Sequence, residues 1–309
     1  MKSAPLVSII INCHNGEKYL HEALRSVFIQ TYENWEIIFW DNSSDDGSAN
    51  IAKTFELDLN KKGILRYFYS ANKTSLGMAR NQALKNANGK YIAFLDCDDI
   101  YYPEKIEKQV ELMERNSFIM TYGSAIFIDK NGQEIRKYLV KNKSGNIFPE
   151  LLRHYEINMQ TVMVLHSYLI KNKMGFSESL KYCPDHNLFM NIASSNPIGV
   201  IEDFLVKYRI LENSLSNKTI DIAGSEIRLT LDEIIKNSPK LKSKYERSFE
   251  QAYGKSYYYD SIADISCDDR KSARKKLKSI LTLKMSYFLL YLFLFLPVPK
   301  SLILKLVGR

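Results

Sequence analysis

The chain of 309 residues lacks several features that would place it in a simple class. It has no uncharged apolar segment of the roughly 20 residues that a membrane-spanning helix requires. Its four cysteines form no C-x-x-C pair, which argues against a disulfide framework or a zinc knuckle. No long apolar region followed by a small-residue cleavage site begins the sequence, so we interpret residues 6–11 (LVSIII) as a strand and expect a cytoplasmic protein.

The basic charge is confined to the end of the chain. There are 43 Lys and Arg residues against 35 Asp and Glu residues, a formal net charge of +8. Ten of these basic residues and none of the acidic ones lie between Arg270 and Arg309, so 33 basic and 35 acidic residues precede them. Because the main part of the chain carries no basic excess, we expect no nucleic-acid partner.

The basic tail also carries an apolar segment. Residues 285–299 (MSYFLLYLFLFLPVP) are uncharged over 15 positions and are interrupted by Pro297 and Pro299. A basic stretch followed by a short aromatic-rich apolar one favours attachment to an anionic membrane surface, peripherally on the inner face. The alternative is a hydrophobic helix that packs on the protein or at a contact in a homo-oligomer.

Short apolar runs rich in Ile, Val and aromatic residues recur early in the chain, at 6–11, 35–40, 64–69 and 91–95. Continuous runs of this kind are typical of parallel strands buried on both faces. Helical spacing of apolar residues predicts helices over 17–30, 76–87 and 103–115, with a left-handed cap for the second at Asn88-Gly89. The alternation predicts an α/β fold with a doubly wound, mostly parallel sheet.

Ligands bind beyond the carboxyl ends of the strands in such sheets. The turn after the first predicted strand has only Gly16 and lacks G-x-G-x-x-G, which argues against a dinucleotide cofactor. Asp41, at the end of the second strand, can accept hydrogen bonds from a ribose or a base. The alternative for residues 41–47 is a polar turn whose side chains bond their own backbone.

Three carboxylates, Asp96, Asp98 and Asp99, crowd directly after the fourth predicted strand. Alternate residues of an extended segment point the same way, so Asp96 and Asp98 can share one ligand. Carboxylate oxygens suit Mg²⁺ or Mn²⁺, which also take up diphosphate oxygens. The alternative is an acidic turn in which Asp99 complements the dipole of the next helix.

At this point the chain resembles family 2 glycosyltransferases, which are inverting enzymes with the Rossmann-like GT-A fold. Segments similar to that family occur in the same order and at similar spacing, at 7–48, 76–99, 175–193 and 205–216. The second segment ends in "DCDD", which matches the D-x-D motif of the family. The resemblance covers roughly residues 5–216 and implies the GT-A fold for them.

The resemblance implies a role for five residues of this sequence. Asp41 would hydrogen-bond the nucleotide base, and Arg80 would lie near the nucleotide. Asp96 and Asp98 would be the D-x-D pair, which contacts the ribose and a divalent metal, Mn²⁺ or Mg²⁺. Asp185 would be the catalytic base that takes the proton of the acceptor hydroxyl.

The activity implied is transfer of a sugar from a nucleotide-diphosphate donor, in the first place a UDP-sugar, to a glycan or lipid-linked acceptor. Departures from the family pattern are Leu211, where many relatives carry histidine, and Pro184, in place of an acid before the base. They favour an alternative, a non-catalytic domain that binds nucleotide-sugar or glycan. Asp185 itself could instead be the N-cap of a helix over 187–194.

A further alternative is a phosphohydrolase of the haloacid dehalogenase type, in which the first Asp of D-x-D attacks phosphorus. That motif follows the first strand of its fold, whereas three predicted strands precede "DCDD" here.

Beyond Ser216 the parallel-sheet pattern stops, and helical patterns occupy 227–237, 244–265 and 268–281. We therefore expect a transferase domain over 1–216, a helical extension over 217–280 and a basic, apolar tail over 281–309.

Overall fold

The computed structural model describes residues 4–56, 64–211, 214 and 220–306. The chain divides into two units: the first comprises 1–147, 156–179 and 192–211, and the second comprises 148–155, 180–191 and 212–309. Ser216, the predicted end of the transferase domain, lies outside the described residues. The same is true of residues 212, 213 and 215 in the segment 205–216 that resembles the family. The three-part division of the chain stays a prediction.

The first unit is built on one sheet, to which the described residues contribute nine strands. In chain order they are β1 (Val7–Cys13), β2 (Trp35–Asp41), β3 (Ile64–Tyr69), β4 (Tyr91–Asp96), β5 (Ile100–Tyr101), β6 (Met120–Ile128), β7 (Glu134–Tyr138), β8 (Met163–Leu165) and β9 (Gly199–Arg209). Across the sheet the order is β3-β2-β1-β4-β8-β6-β9-β5, and β7 pairs with β6.

The first four strands in the chain pair with one another in parallel, as predicted. All seven residues of β1 are buried, which is the pattern expected of a central parallel strand covered on both faces. Beyond β4 the sheet is mixed: β8 runs antiparallel to β4 and β6, whereas β6 and β9 are parallel. The predicted α/β fold with a doubly wound sheet is confirmed.

Helices in chain order are α1 (Glu17–Phe28), α2 (Ser48–Glu56), α3 (Leu76–Leu84), α4 (Lys105–Asn116), α5 (Phe148–Arg153), α6 (His166–Lys171), α7 (Pro184–Ala193), α8 (Ala223–Asn237), α9 (Lys240–Lys244), α10 (Glu246–Ser266), α11 (Arg270–Lys278), α12 (Met285–Phe293) and α13 (Lys300–Leu306). The predicted stripe of α1 is buried in the core of the first unit, including Leu20, Leu24 and Val27. Ser75 caps α3, since its hydroxyl accepts the backbone N–H of Met78 at 3.3 Å.

The predicted left-handed cap at Asn88-Gly89 is wrong. Helix α3 ends at Leu84, and neither residue is among those of positive φ. Gly89 is required for a different reason, because a Cβ there would lie 2.5 Å from the backbone nitrogen of Ser8. Its N–H donates to Ser8 Oγ at 2.8 Å, which fixes the entry to β4 against β1.

The second unit is helical in the residues described. Phe148 of α5 packs edge-on against Phe249 of α10, with ring centroids 6.0 Å apart. The three predicted helical segments are confirmed as α8, α10 and α11. In the tail, Tyr287, Leu290 and Leu294 are buried in a core with side chains of α10 and α11.

The other face of α12 is exposed. Met285, Phe288, Leu289, Leu292 and Phe293 all have exposed side chains, at helical spacing. Among the described residues no helix is both long enough and apolar enough to cross a bilayer.

Candidate functional site

Two of the predicted site residues end strands on either side of β1. In the sheet register Cys13 of β1 pairs with Asp41 of β2, and Asn12 of β1 pairs with Asp96 of β4. The three strands are parallel, so Asp41 and Asp96 lie at the same edge. This is the carboxyl edge at which α/β sheets bind ligands.

Asp96 is held by two side chains. Arg80 Nη2 of α3 donates to Asp96 Oδ1 at 3.1 Å, and the Arg80 residue is only 3% exposed. Gln160 Nε2 donates to Asp96 Oδ2 at 2.6 Å, and Gln160 Oε1 accepts the backbone N–H of Asp96 at 2.9 Å. Arg80 thus forms an ion pair with Asp96, which fixes the orientation of one carboxylate, and its predicted place near the nucleotide stays a prediction.

A second buried arginine organises the loop after β4. Arg209 of β9 is 4% exposed. Its backbone N–H donates to Asp99 Oδ1 at 2.7 Å, and its Nε donates to the backbone oxygen of Asp98 at 2.9 Å. Its Nη2 pairs with Glu22 Oε2 at 2.6 Å. Two protein cations therefore stabilise the acidic cluster, one at each end.

Asp98 lies between these cations, yet its carboxylate makes no ion pair with any described residue. Burial, followed by the charge of Asp96, raises the pKa of Asp98 to about 6. Burial likewise raises the pKa of Asp99 well above its usual range, and Asp99 Oδ2 has no hydrogen-bond partner. Burial thus disfavours the charged forms of Asp98 and Asp99, and a cation bound beside them would favour those forms.

The carboxylates of this cluster are of the ligand type that suits a divalent cation. In the part of the chain that the structure describes, no three His, Cys, Asp or Glu side chains already surround a common metal position. Mg²⁺ commonly takes only one or two carboxylates from a protein and its other ligands from substrate phosphates and water. Asp98, with Asp96 beside it, meets that requirement.

Asp41 is fully buried, and both of its carboxylate oxygens are bonded. Oδ1 accepts the backbone N–H of Ser44 at 2.8 Å, and Oδ2 accepts the hydroxyl of Tyr67 at 2.7 Å. These bonds form the polar turn that is the alternative to base binding. Because Asp41 has no exposed surface, contact between its carboxylate and a base requires these side chains to move, and that role stays a prediction.

Asp185 lies in the second unit, in the first turn of α7. Because α7 begins at Pro184, the alternative that Asp185 is the N-cap of a helix starting at 187 is wrong. The segment before α7 is fixed by Glu226 of α8, which is 5% exposed. Its carboxylate accepts three consecutive backbone N–H groups, those of Lys181 at 2.7 Å, Tyr182 at 2.8 Å and Cys183 at 3.0 Å.

A cavity of about 250 Å³ adjoins Asp185 within the second unit. Its apolar lining includes Leu151, Met190 and Leu231. Its polar lining includes Asp185 and Lys255. An apolar cavity with a few polar groups is the usual form of a small-ligand site, and a carboxylate at its wall can act as a base towards a bound hydroxyl.

Sequence reasoning missed Gln160, Arg209 and Glu226. Each of these residues forms hydrogen bonds with residues that are far away in the chain, so no local sequence motif indicates its role.

Sequence comparisons with known proteins indicate the family. Residues 8–180 match the sequence model of the family described as Glycosyl transferase family 2. An uncharacterized glycosyltransferase of Rickettsia felis is 39% identical over 204 residues, 66% of this chain and 33% of the relative. The chain thus spans about a third of the length of the first curated relatives it matches. The UDP-Glc:alpha-D-GlcNAc-diphosphoundecaprenol beta-1,3-glucosyltransferase WfgD of Escherichia coli is 33% identical over 214 residues, 69% of this chain and 80% of WfgD.

Solved structures support the fold. The mannosyltransferase PcManGT from Pyrobaculum calidifontis, in complex with GDP-Man and Mn²⁺, superposes with a TM-score of 0.63 at 15% identity, over 95% of this chain and 85% of that one. S. aureus TarS 1-349 in complex with UDP-GlcNAc gives a TM-score of 0.59 at 18% identity, over 91% of each chain.

Proposed function

We propose, from the premise that this chain belongs to glycosyl transferase family 2, that it transfers a sugar from a nucleotide-diphosphate donor to an acceptor hydroxyl. The observation that carries the proposal is the acidic cluster at the carboxyl edge of the sheet. There Asp96 is oriented by Arg80 and Gln160, while the carboxylate of Asp98 makes no ion pair with any described residue.

On the donor side, Asp96 and Asp98 would hold the divalent metal, with Asp96 also reaching the ribose. A bound Mg²⁺ or Mn²⁺ supplies Lewis-acid stabilisation of the negative charge on the leaving diphosphate. Arg80 and Gln160 keep the Asp96 carboxylate in one orientation. Preorganised charges of this kind need no rearrangement during the reaction.

On the acceptor side, Asp185 would be the general base. The acceptor oxygen forms a bond to the anomeric carbon while the bond from that carbon to the diphosphate oxygen breaks. The hydroxyl proton passes to the Asp185 carboxylate, and the electron pair of the broken bond leaves with the diphosphate. One displacement inverts the anomeric centre, and no covalent intermediate forms.

The substrates we propose are a UDP-sugar donor and a lipid-linked saccharide acceptor. The support is the similarity to WfgD, whose name specifies a UDP-sugar and a diphosphoundecaprenol acceptor. The metal we propose is Mn²⁺ or Mg²⁺, and Mn²⁺ is present in the PcManGT complex.

We also propose that the chain works peripherally at the inner membrane surface. The exposed face of α12 carries Phe288, Leu289 and Leu292, and α11 beside it in sequence carries Arg274, Lys275 and Lys278. An apolar face next to clustered basic charge suits an anionic bilayer surface. This would bring a lipid-linked acceptor to the enzyme.

Replacement of Asp185 tests the proposal. Because an amide cannot take the acceptor proton, Asp185→Asn should lower kcat by about 10²–10⁴ while the Kd for a UDP-sugar with Mn²⁺ stays unchanged. Product formation by mass spectrometry and donor binding by calorimetry measure the two quantities.

Asp203→Asn is the matched control, since Asp203 is an exposed carboxylate that pairs with Lys108. Unchanged kcat in Asp185→Asn would remove Asp185 from the mechanism. Donor binding without any turnover or donor hydrolysis in the wild type would favour the alternative of a non-catalytic binding domain.

A further inference from the structure

The cavity of the second unit is lined by a lysine that makes no ion pair with any described residue. Lys255 of α10 is partly buried and lines the cavity. Its ammonium lies 5.8 Å from the centroid of the Tyr259 ring. Among the described residues, none makes a hydrogen bond or ion pair with it.

Other partly buried cations of the same unit are paired. Arg228 forms an ion pair with Asp260 at 2.7 Å, and Lys276 forms one with Asp264 at 2.7 Å. Burial of a charge is unfavourable unless an opposite charge or hydrogen bonds compensate it. Lys255 is therefore an exception within its own unit, and it occurs where the unit has a ligand-sized space.

The surroundings of Lys255 disfavour the charged form of its side chain. Burial lowers the pKa of Lys255 below its usual value. His186 adjoins the cavity as well, and its Nδ1 is buried without a hydrogen-bond partner. Burial and then the Lys255 charge lower the pKa of His186 to about 3, so this imidazole is neutral at pH 7.

We propose that this cavity binds the acceptor sugar as a phosphate ester, with the Lys255 ammonium contacting the phosphate and Asp185 contacting the sugar hydroxyl. The inference rests on the proposed function, because Asp185 is the base there. A phosphate group supplies the negative charge that Lys255 lacks, and an ammonium is a common phosphate partner. About 250 Å³ is below the range of roughly 300–1,000 Å³ for drug-sized ligands, so the space suits a monosaccharide head group rather than an oligosaccharide.

Binding of small probes tests this without any transfer assay. The probes are N-acetylglucosamine 1-phosphate, methyl N-acetylglucosaminide and inorganic phosphate, each titrated by calorimetry into the full chain. We expect the sugar phosphate to bind about tenfold or more tightly than the neutral glycoside, as for a hydrogen bond to a charged group. Inorganic phosphate alone should bind more weakly than the sugar phosphate, since it does not occupy the rest of the cavity.

The Lys255→Met variant should lose this preference, and Lys255→Arg should retain part of it. Lys244→Met is the matched control, because Lys244 also lies over a tyrosine ring, that of Tyr245 at 4.9 Å, but is exposed. Equal affinity of the wild type for sugar phosphate and neutral glycoside, or no binding of either, would overturn the proposal even if Lys255→Met failed to fold. So would an unchanged preference in a folded Lys255→Met.

Donor binding separates this proposal from the proposed function. In the proposed function UDP binding with Mn²⁺ depends on residues of the first unit, so we expect Lys255→Met to leave it unchanged. A wild type that prefers the sugar phosphate but binds no nucleotide-sugar would contradict the transferase proposal and support the anion site. A wild type that transfers sugar but shows no preference for the sugar phosphate would support the transferase proposal and contradict the anion site.

Discussion

At the scale of single residues, the acidic cluster is organised by uncharged and basic side chains that lie far away in the sequence. Asp96 is bonded to Gln160 through both its carboxylate and its backbone N–H, at 2.6 and 2.9 Å. Among the residues that the structure describes, the Asp98 carboxylate has no comparable partner. The same pair of acidic residues therefore has one member that the protein orients and one that it leaves available to a cation.

The Gln160→Leu variant tests whether the fixed orientation of the Asp96 carboxylate contributes to donor binding. The variant removes both bonds while it keeps the approximate volume of the side chain. We expect the Kd for a UDP-sugar with Mn²⁺ to rise about tenfold or more, because hydrogen bonds to charged groups contribute about 1.5–3 kcal/mol. Calorimetric titration measures the change.

Gln133→Leu serves as the control, since Gln133 is exposed and outside the cluster. An unchanged Kd in Gln160→Leu, with the fold intact by circular dichroism, would show that Asp96 does not need Gln160 to bind the donor.

At the scale of elements, helix α3 positions Arg80 so that its guanidinium group contacts the Asp96 carboxylate. Gly77, in its first turn, allows α3 to approach the segment around Ser177 closely. A Cβ at position 77 would lie 2.3 Å from the backbone oxygen of Ser177 and 3.1 Å from its carbonyl carbon. Backbone atoms cannot move aside as a side chain can.

The Gly77→Ala variant distinguishes the effect of this close packing on stability from the effect of helix propensity. Propensity alone predicts that alanine stabilises a helix by about 1 kcal/mol relative to glycine. We expect the opposite sign, a loss of about 1–3 kcal/mol in the free energy of unfolding, because of overpacking. Urea denaturation measures it.

Gln82→Ala on the same helix is the control, and it should change stability by less than about 0.5 kcal/mol. A more stable Gly77→Ala protein would mean that α3 does not pack as closely as the structure describes.

At the scale of the whole molecule, charge and hydrophobicity are distributed unevenly along the chain. The basic excess of +8 arises from the tail, where the outward side chains of α12 are apolar. The same helix contributes Tyr287 and Leu290 to the core of the second unit. One face of α12 thus packs on the protein, as the alternative predicted, and attachment to a membrane through the exposed face stays a proposal.

The double variant Leu289→Glu/Leu292→Glu tests the membrane proposal without removing the buried face. We expect the wild type to float with anionic vesicles, less so at high salt because screening weakens the basic contribution. The double variant should remain in the soluble fraction, since acidic groups would repel the anionic surface and remove apolar contact.

Ile170→Glu is the control, because Ile170 is 66% exposed and belongs to the first unit. Equal partitioning of the wild type and the double variant in flotation would reject α12 as the membrane-binding face.

The sequence by itself determined the pattern of the early strands and helices, because their signals are local. Apolar runs predicted β1 to β4 within about two residues, and the D-x-D motif marked Asp96 and Asp98. Helical periodicity predicted α8, α10 and α11 as well. These features depend on residues that are neighbours in the chain, so composition and spacing suffice to indicate them.

Only the tertiary structure decided which charges are compensated. Gln160 and Arg209 reach the acidic loop across 64 and 111 positions of sequence, and Glu226 fixes the segment before Asp185 across more than 40. The same holds for Gly89, which is required by the approach of Ser8 and not by its own backbone angles. Hydrogen bonds and ion pairs depend on distances of about 3 Å in space, and separation along the chain does not fix such distances.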